Sequence, residues 1–183
     1  MRKGEGKGRQ NNQILFCYGL RFNHPTDIIE LEDKVEKNTG AIIQGVDKNF
    51  VLSREHAIFI LTQCLEAYDR GIFIARKPKY DIILNLLCTQ KIEKALADGG
   101  IKKDSKDCVI LGYCDKRELQ ILEECIKSYG TFDERILEPS EDKKKFLTGY
   151  HKINSEEQKN YDLLQLLCER SATSIIRYYK SKA

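Results

Sequence analysis

Two apolar runs that lie far apart in the sequence limit most strongly how this chain folds. QILFCYGLRF, from Gln13 to Phe22, and DCVILGYC, from Asp107 to Cys114, are rich in aliphatic, β-branched and aromatic residues. Runs of this length and content predict buried strands. Helical patterns occupy most of the sequence between and after them. We therefore predict an α+β fold, in which a small, mostly antiparallel sheet of about four strands is flanked by several helices.

Helix signals recur along the rest of the chain. Ser53 is typical of an N-cap, and apolar residues follow it at helical spacing up to about Arg70. Further helices are predicted from Pro25-Thr26-Asp27 through DIIELEDKVEK, from Tyr80 to Leu87, from Thr89 to Gly99, after Asp115, from Pro139-Ser140 to Tyr150, and from Asn154 or Ser155 onward. The last of these is expected to bury Tyr161 and either to continue or to restart through Ile175 and Ile176. Weaker strand signals predict a strand and turn or a loose hairpin at 41–52, a short strand or extended link at 72–75, and a strand at 132–137.

Length and composition predict one folded domain with a tail. The chain has 183 residues, enough for one packed core and too few to expect two. Residues 1–12 are basic and glycine-rich and contain almost nothing to bury, so they predict a disordered basic tail. Residues 13–183 are predicted to form the single domain.

The expected compartment is intracellular. The longest uncharged stretch, residues 10–20, is about half of the roughly twenty apolar residues that a membrane helix needs. Most of the seven cysteines lie inside apolar runs, where cysteine in a reducing compartment packs as a small hydrophobe. We expect a cytoplasmic protein with no membrane partner, and a nuclear one as well if the organism is eukaryotic.

No pattern in the sequence signals catalysis, a metal or a cofactor. GEGKG precedes the first strand, whereas a phosphate-binding loop follows one. The histidines His24, His56 and His151 lie far apart, and no C-x-x-C or H-E-x-x-H occurs. We predict no catalytic residue, no metal site and no enzyme. A small thiol-dependent enzyme remains an alternative, and it would need one cysteine with a depressed pKa.

The segment YDIILNLLCTQKIEKALADGGI carries more apolar residues than one helix face can bury. Ile82 and Leu86 belong to a run that covers more than one side of a short helix, and Ile92 begins the next one. Such a helix is either buried on all sides or offers one side to another protein.

Basic residues crowd around this segment. Residues 70–106 carry nine basic and four acidic side chains. These basic residues form either an ordinary solvated face or, with Phe73 and Tyr80 between them, a site for single-stranded nucleic acid, where cations meet phosphates and rings stack on bases. The candidates are Arg76, Lys77, Lys79, Lys91, Lys94, Lys102 and Lys103.

The same segment resembles the signature of a known family, the PRPK-binding protein (TPRKB-like) family. Its members are the small KEOPS subunits that bind the kinase-like ATPase of that complex. The pattern is carried by Asp81, Ile82-Ile83-Leu84, Cys88-Thr89, Ile92, Ala95-Leu96 and Gly100-Ile101. NFVLSREHAIFILTQCLEAYDRGIFIARK upstream and INSEEQKNYDLLQLLCERSATSII downstream are similar to the family's flanking elements, so the resemblance covers about residues 50–176.

The resemblance implies a non-catalytic subunit of the assembly that installs threonylcarbamoyl adenosine in tRNA. It implies direct binding to the kinase-like ATPase subunit, a link through the kinase to the threonylcarbamoyl-transferring subunit, and contact with the tRNA 3′ end. On this basis we assign Ile82, Leu86 and Ile92 to kinase binding, and Arg54, His56, Arg76, Lys77, Lys79, Lys91 and Lys94 to tRNA binding. A free-standing module that binds single-stranded RNA or tRNA without a kinase remains an alternative.

Overall fold

Both predicted apolar strands lie at the centre of one sheet. The computed structural model describes residues 12–24 and 28–180, except the side chain of Tyr179. The strands are β1 (Gln13–Phe22), β2 (Ile42–Val46), β3 (Asp107–Asp115) and β4 (Gly130–Phe132). Their order is β2-β3-β1-β4, and each pairing between them is antiparallel. The predicted α+β fold and sheet are confirmed, while the predicted tail before Asn12 and the helix start at 25–27 lie outside the described residues.

Helices cover both faces of this sheet. They are α1 (Ile28–Thr39), α2 (Arg54–Asp69), α3 (Pro78–Leu86), α4 (Ile92–Gly99), α5 (Leu119–Lys127), α6 (Glu141–Tyr150), α7 (Ser155–Asn160) and α8 (Leu163–Lys180). Cys17 and Leu111 point to a core shared with α2 and α3, whereas Phe16 and Ile110 point to a second core shared with α1 and α5. Strands buried on both faces need apolar side chains at successive positions, which explains the two uninterrupted runs.

Side-chain caps begin several helices as the sequence predicts. The Ser53 side chain accepts a hydrogen bond from the backbone N–H of His56 at the start of α2, and Ser140 does the same for Lys143 in α6. These caps satisfy N–H groups that have no partner within the helix. A third, smaller apolar cluster joins α6 to α8 through Leu147, Ile153 and Leu166.

The structure decides between the alternatives at two segments and corrects a third. At 41–52 the strand and turn is confirmed and the loose hairpin is not, because β2 pairs with β3 and the Asp47 side chain caps a short 3₁₀ turn at Lys48–Phe50. The strand expected at 132–137 ends at Phe132, and Asp133 caps another 3₁₀ turn. At 72–75, where a short strand or a link is predicted, the structure has the link, and the N–H groups of Ile74 and Ala75 donate to Asp81.

The predicted C-terminal helix is two helices. Tyr161 has extended backbone and an exposed side chain, so the expectation that it is buried is wrong. The Asp162 side chain accepts a hydrogen bond from the N–H of Gln165 at 2.8 Å and so begins a new helix, α8. No helix within residues 12–24 and 28–180 is long and apolar enough to cross a membrane.

Candidate functional site

The apolar helix α3 is a core element. Ile82 and Leu86 are at most 1% exposed and lie in the larger core, where α3 packs against α2, α4, β2 and α8. The prediction that these two side chains face a partner is therefore wrong: a helix that is apolar all round is buried all round. Ile92 on α4 is half-buried against the same core, and its role in kinase binding stays a prediction.

Lys79 is not available to a phosphate. Its ammonium group is buried and pairs with Glu32 at 3.2 Å and Glu36 at 3.0 Å, both on α1. Glu32 also accepts the backbone N–H of Gly45 at 2.7 Å. The assignment of Lys79 to tRNA is corrected, since this ion pair ties α1, α3 and β2 together inside the protein.

His56 is likewise a structural residue. It is 1% exposed, and its Nδ1 accepts the backbone N–H of Leu52 at 3.4 Å. Burial, with a smaller contribution from His151, lowers the pKa of His56 to about 4, so the ring is neutral at pH 7. Its assignment to tRNA is wrong, whereas Arg54 is exposed and pairs with Glu134.

The remaining predicted tRNA residues divide between the two ends of α3. Arg76 and Lys77 are exposed before its first turn, and Lys91 and Lys94 are exposed beyond its last one. A helix of nine residues separates them by about 13 Å along its axis. The structure therefore does not bring the predicted basic stretch together as one patch.

Lys91 and Lys94 instead line a groove with residues from much later in the chain. This basic groove has a volume of about 800 Å³ and lies between the α3–α4 turn, the end of α6 and one side of α8. Its lining contains five cationic and two acidic side chains. They are Lys91, Lys94, Lys152, Arg170 and Arg177, with Glu157 and Glu169.

Local backbone geometry builds the walls of the groove. Cys88 after α3 and Lys152 after α6 both have φ of 51°, a left-handed conformation that turns the chain sharply at each helix end. On α8, Arg170 and Arg177 are two helical turns apart and so project from the same face. The spacing of these two arginines is the signal in the sequence that could have identified this wall.

Two buried polar atoms in the lining have no hydrogen-bond partner among the described residues. They are Nε2 of His151, a residue that is 9% exposed, and Nε of Arg170. Burial, with a smaller contribution from the charge of Arg170, lowers the pKa of His151 to about 4. A neutral imidazole nitrogen and a guanidinium N–H thus lie in the wall of the groove with their hydrogen bonds unmade.

The cations of the groove differ in their pairing. Lys94 pairs with Asp98, and Arg170 pairs with Glu157. Within the described part of the chain, Lys91, Lys152 and Arg177 form no ion pair with an acidic side chain. Cations without an acidic partner suit the phosphates of a polyanion.

A second surface lies on α2, beside α8. Ile58, Phe59 and Thr62 line a shallow depression of about 620 Å³ there, and Arg54, Glu55, Gln63 and Glu66 complete its lining. Ser171 of α8 donates to Gln63 of α2 at 2.9 Å, which fixes the two helices side by side. We call Ile58, Phe59 and Thr62, together with Ile175 and Ile176 of α8, the α2–α8 face. Ile176 is 54% exposed.

The helical period separates the two surfaces. On a helical wheel centred on Ser171, which faces α2, Arg170 and Arg177 lie to one side and Ile175 and Ile176 to the other. The cations and the isoleucines of α8 thus project from different sides of the helix.

The cysteines do not support a thiol-dependent enzyme. The pKa of all seven thiols is raised by burial, for example to about 12 for Cys88, the one that lines the groove. A thiol with a raised pKa is a poor nucleophile at neutral pH. Among the residues that the structure describes, no three His, Cys, Asp or Glu side chains are placed to hold a metal ion.

An α+β fold with an apolar helical face and a separate basic groove is typical of a protein that works by binding partners. The sequence matches the family described as kinase binding protein CGI-121 over residues 22–174. The chain therefore belongs to this kinase-binding family, and the resemblance drawn from the sequence is confirmed. A search of curated proteins found no match to the chain.

Proposed function

We propose that this chain is the kinase-binding subunit of a KEOPS assembly, which installs threonylcarbamoyl adenosine in tRNA. It docks directly on the kinase-like ATPase subunit, reaches the threonylcarbamoyl-transferring subunit through that kinase, and helps to hold the tRNA 3′ end without doing chemistry itself. The observation that carries this proposal is the family match over residues 22–174, whose description names kinase binding.

The α2–α8 face is the proposed site of kinase docking. Ile58 and Phe59 are half-buried and Ile176 is exposed, and together they supply the apolar centre that stable protein interfaces share. α3 cannot fill this role because its side chains are already in the core. The α2–α8 face shares no lining residue with the basic groove, so kinase docking there is compatible with RNA in the groove.

The kinase proposal is tested by calorimetric titration of the kinase subunit with two matched variants. Ile176→Glu places a charge in the α2–α8 face and is expected to weaken binding by about tenfold or more, as truncation of a central apolar anchor does. Ile121→Glu is the control, because Ile121 is 50% exposed and lies on α5, which packs on the opposite face of the sheet. Equal weakening by both variants, or none by Ile176→Glu, contradicts this placement.

The basic groove is the proposed site for the single-stranded tRNA 3′ end. It joins two of the predicted lysines, Lys91 and Lys94, to Lys152, Arg170 and Arg177. Each phosphate neutralised on a single strand contributes about 0.7 to the slope of log affinity against log salt. Three or four contacts in the groove therefore give a salt slope between about 2 and 3.

The RNA proposal is tested by fluorescence anisotropy with labelled tRNA. Arg177→Glu and Lys91→Glu are expected to weaken binding and to lower the salt slope, because both charges line the groove. Lys103→Glu makes the same charge change at an exposed position outside the groove and is the control. Lys77→Glu tests whether the exposed lysine before α3, outside the groove, also contributes to tRNA binding.

Deletion of residues 1–10 tests the remaining source of basic charge. If the deletion abolishes tRNA binding while Arg177→Glu leaves it unchanged, the site is in the N-terminal segment and not in the groove. If the isolated chain binds tRNA as tightly as its complex with the kinase does, the free-standing RNA-binding module is the better account.

A further inference from the structure

The short helix α7 is attached to the protein by polar contacts. None of its residues, Ser155 to Asn160, is buried. Its start is closed by a capping box, in which Glu157 donates its N–H to Asn154 Oδ1 and accepts the N–H of Asn154 at Oε2, both at 2.9 Å. Gln158 also donates to Thr148 at 3.2 Å. With no apolar side chain buried, these contacts decide where α7 lies.

The strongest of these contacts reaches into the basic groove. Nη2 of Arg170 donates to both carboxylate oxygens of Glu157, at 2.9 and 3.0 Å. Nε of Arg170 is buried without a partner in the described part of the chain. The carboxylate thus uses one nitrogen of the guanidinium and leaves a second donor of the same fork unsatisfied.

A phosphate group can use both the donor that Glu157 occupies and the donor that it leaves without a partner. Phosphate and carboxylate bind the same donors of arginine, and the planar fork accepts two oxygens of either group. Nε2 of His151, unpartnered and in a side chain that is 9% exposed, lines the same groove and marks it independently as a place for a polar ligand. A phosphate that binds side-on uses Nε and Nη2 together, so it competes with Glu157 for Nη2.

We propose that Glu157 is a built-in competitor for the RNA phosphate that the basic groove binds. This inference rests on the proposed RNA site. RNA binding displaces the carboxylate from Arg170 and frees α7 from the rim of the groove. The competition lowers the intrinsic affinity for RNA, so firm binding requires several contacts made together.

The chain offers a closely matched pair of variants for the test. Glu157→Gln removes the competing charge but keeps an oxygen for the N–H of Asn154, since glutamine also serves in a capping box. Glu156→Gln makes the same charge change one residue earlier, where Glu156 is exposed and pairs with Lys159 instead. Any difference between the two variants reports on Arg170 and not on net charge.

The affinity of labelled single-stranded RNA is measured for both variants and for the unchanged chain. Glu157→Gln is expected to bind about three- to fivefold more tightly, the gain expected when a partly exposed ion pair no longer competes. Glu156→Gln is expected to stay near the affinity of the unchanged chain. In an Arg170→Gln background, Glu157→Gln is expected to give no gain in affinity. The guanidinium for which the Glu157 carboxylate and the RNA phosphate compete is then absent.

Inorganic tripolyphosphate serves as a second probe and separates the two proposals. If RNA binds through the groove but Glu157→Gln and Glu156→Gln have equal affinity, the competition is overturned and the RNA site stands. If RNA does not bind while tripolyphosphate binds more tightly to Glu157→Gln alone, the competition stands and the RNA proposal fails. If neither probe binds any of the proteins, both are overturned.

Discussion

At the scale of single residues, two histidines are held neutral inside the protein. Burial is the main cause of their lowered pKa, about 4 for both, with smaller contributions from His151 at His56 and from Arg170 at His151. An unfolded chain binds protons at these positions near pH 6.5. The folded chain does so only near pH 4, so protonation favours unfolding between these values.

This difference predicts how stability depends on pH. The contribution of His56 to the free energy of unfolding is fully present above pH 6.5 and is lost as the pH falls toward 4, by at most about 3 kcal/mol. Urea denaturation at several pH values measures the loss. His56→Gln is expected to flatten the dependence, and an unchanged pH profile in that variant would show that His56 does not titrate as described.

The burial of Ile82 gives a second prediction at this scale. Ile82→Ala removes buried methyl groups from the larger core and is expected to lower the free energy of unfolding by about 2 to 5 kcal/mol. Ile121→Ala, at a 50% exposed position, is expected to change it by less than about 0.5 kcal/mol. Equal effects in the two variants would contradict the core position of α3.

Individual residues also show where sequence patterns lose information. The apolar run around Ile82 exceeds what one helix face can bury, but the pattern alone does not distinguish core from interface. Lys79 resembled its basic neighbours because its partner Glu32 is 47 positions away. Whether a lysine is solvated or buried in an ion pair depends on which helix packs against it, and no local pattern carries that information.

At the scale of elements, the sheet depends on close approach of backbones at Gly112. A Cβ added to Gly112 would lie 2.0 Å from the carbonyl oxygen of Ile42 in β2. Gly112→Ala is therefore expected to strain the β2–β3 pairing and lower the free energy of unfolding by about 1 to 3 kcal/mol.

Gly149 is the matched control for this substitution. It lies in α6, where an added Cβ would meet nothing within 4 Å. Gly149→Ala is expected to be neutral or to stabilise by up to about 1 kcal/mol, because alanine favours a helix. Thermal unfolding of both variants measures the contrast, and a loss of stability in Gly149→Ala that matches Gly112→Ala would contradict it.

Element boundaries were predictable where side chains act locally. Ser53 and Ser140 cap α2 and α6 as the sequence indicates, because an N-cap needs only residues within one turn. The pairing of β2 was not predictable in the same way, because its partner β3 follows more than sixty positions later. Asp162 was missed as the start of α8, although the Asp162 to Gln165 spacing fits a capping box.

At the scale of the whole molecule, α8 contributes to both of the surfaces that we propose as binding sites. Its arginine flank contributes to the basic groove and its isoleucine flank to the α2–α8 face. The family and a basic region proposed to bind RNA could be predicted from the sequence. That predicted region includes Lys91 and Lys94, which line the groove. It did not join them to Lys152, Arg170 and Arg177, because α6 and α8 meet the α3–α4 turn only in the folded chain.

The central claim is that this chain adds an RNA-binding surface to a kinase that it binds directly. The most direct test compares the tRNA affinity of three samples by fluorescence anisotropy: the kinase subunit alone, this chain alone and their complex. We expect the complex to bind tRNA more tightly than either component, and Arg177→Glu in the complex to remove the gain while kinase binding is kept. A complex that binds tRNA no more tightly than the kinase alone would contradict the claim.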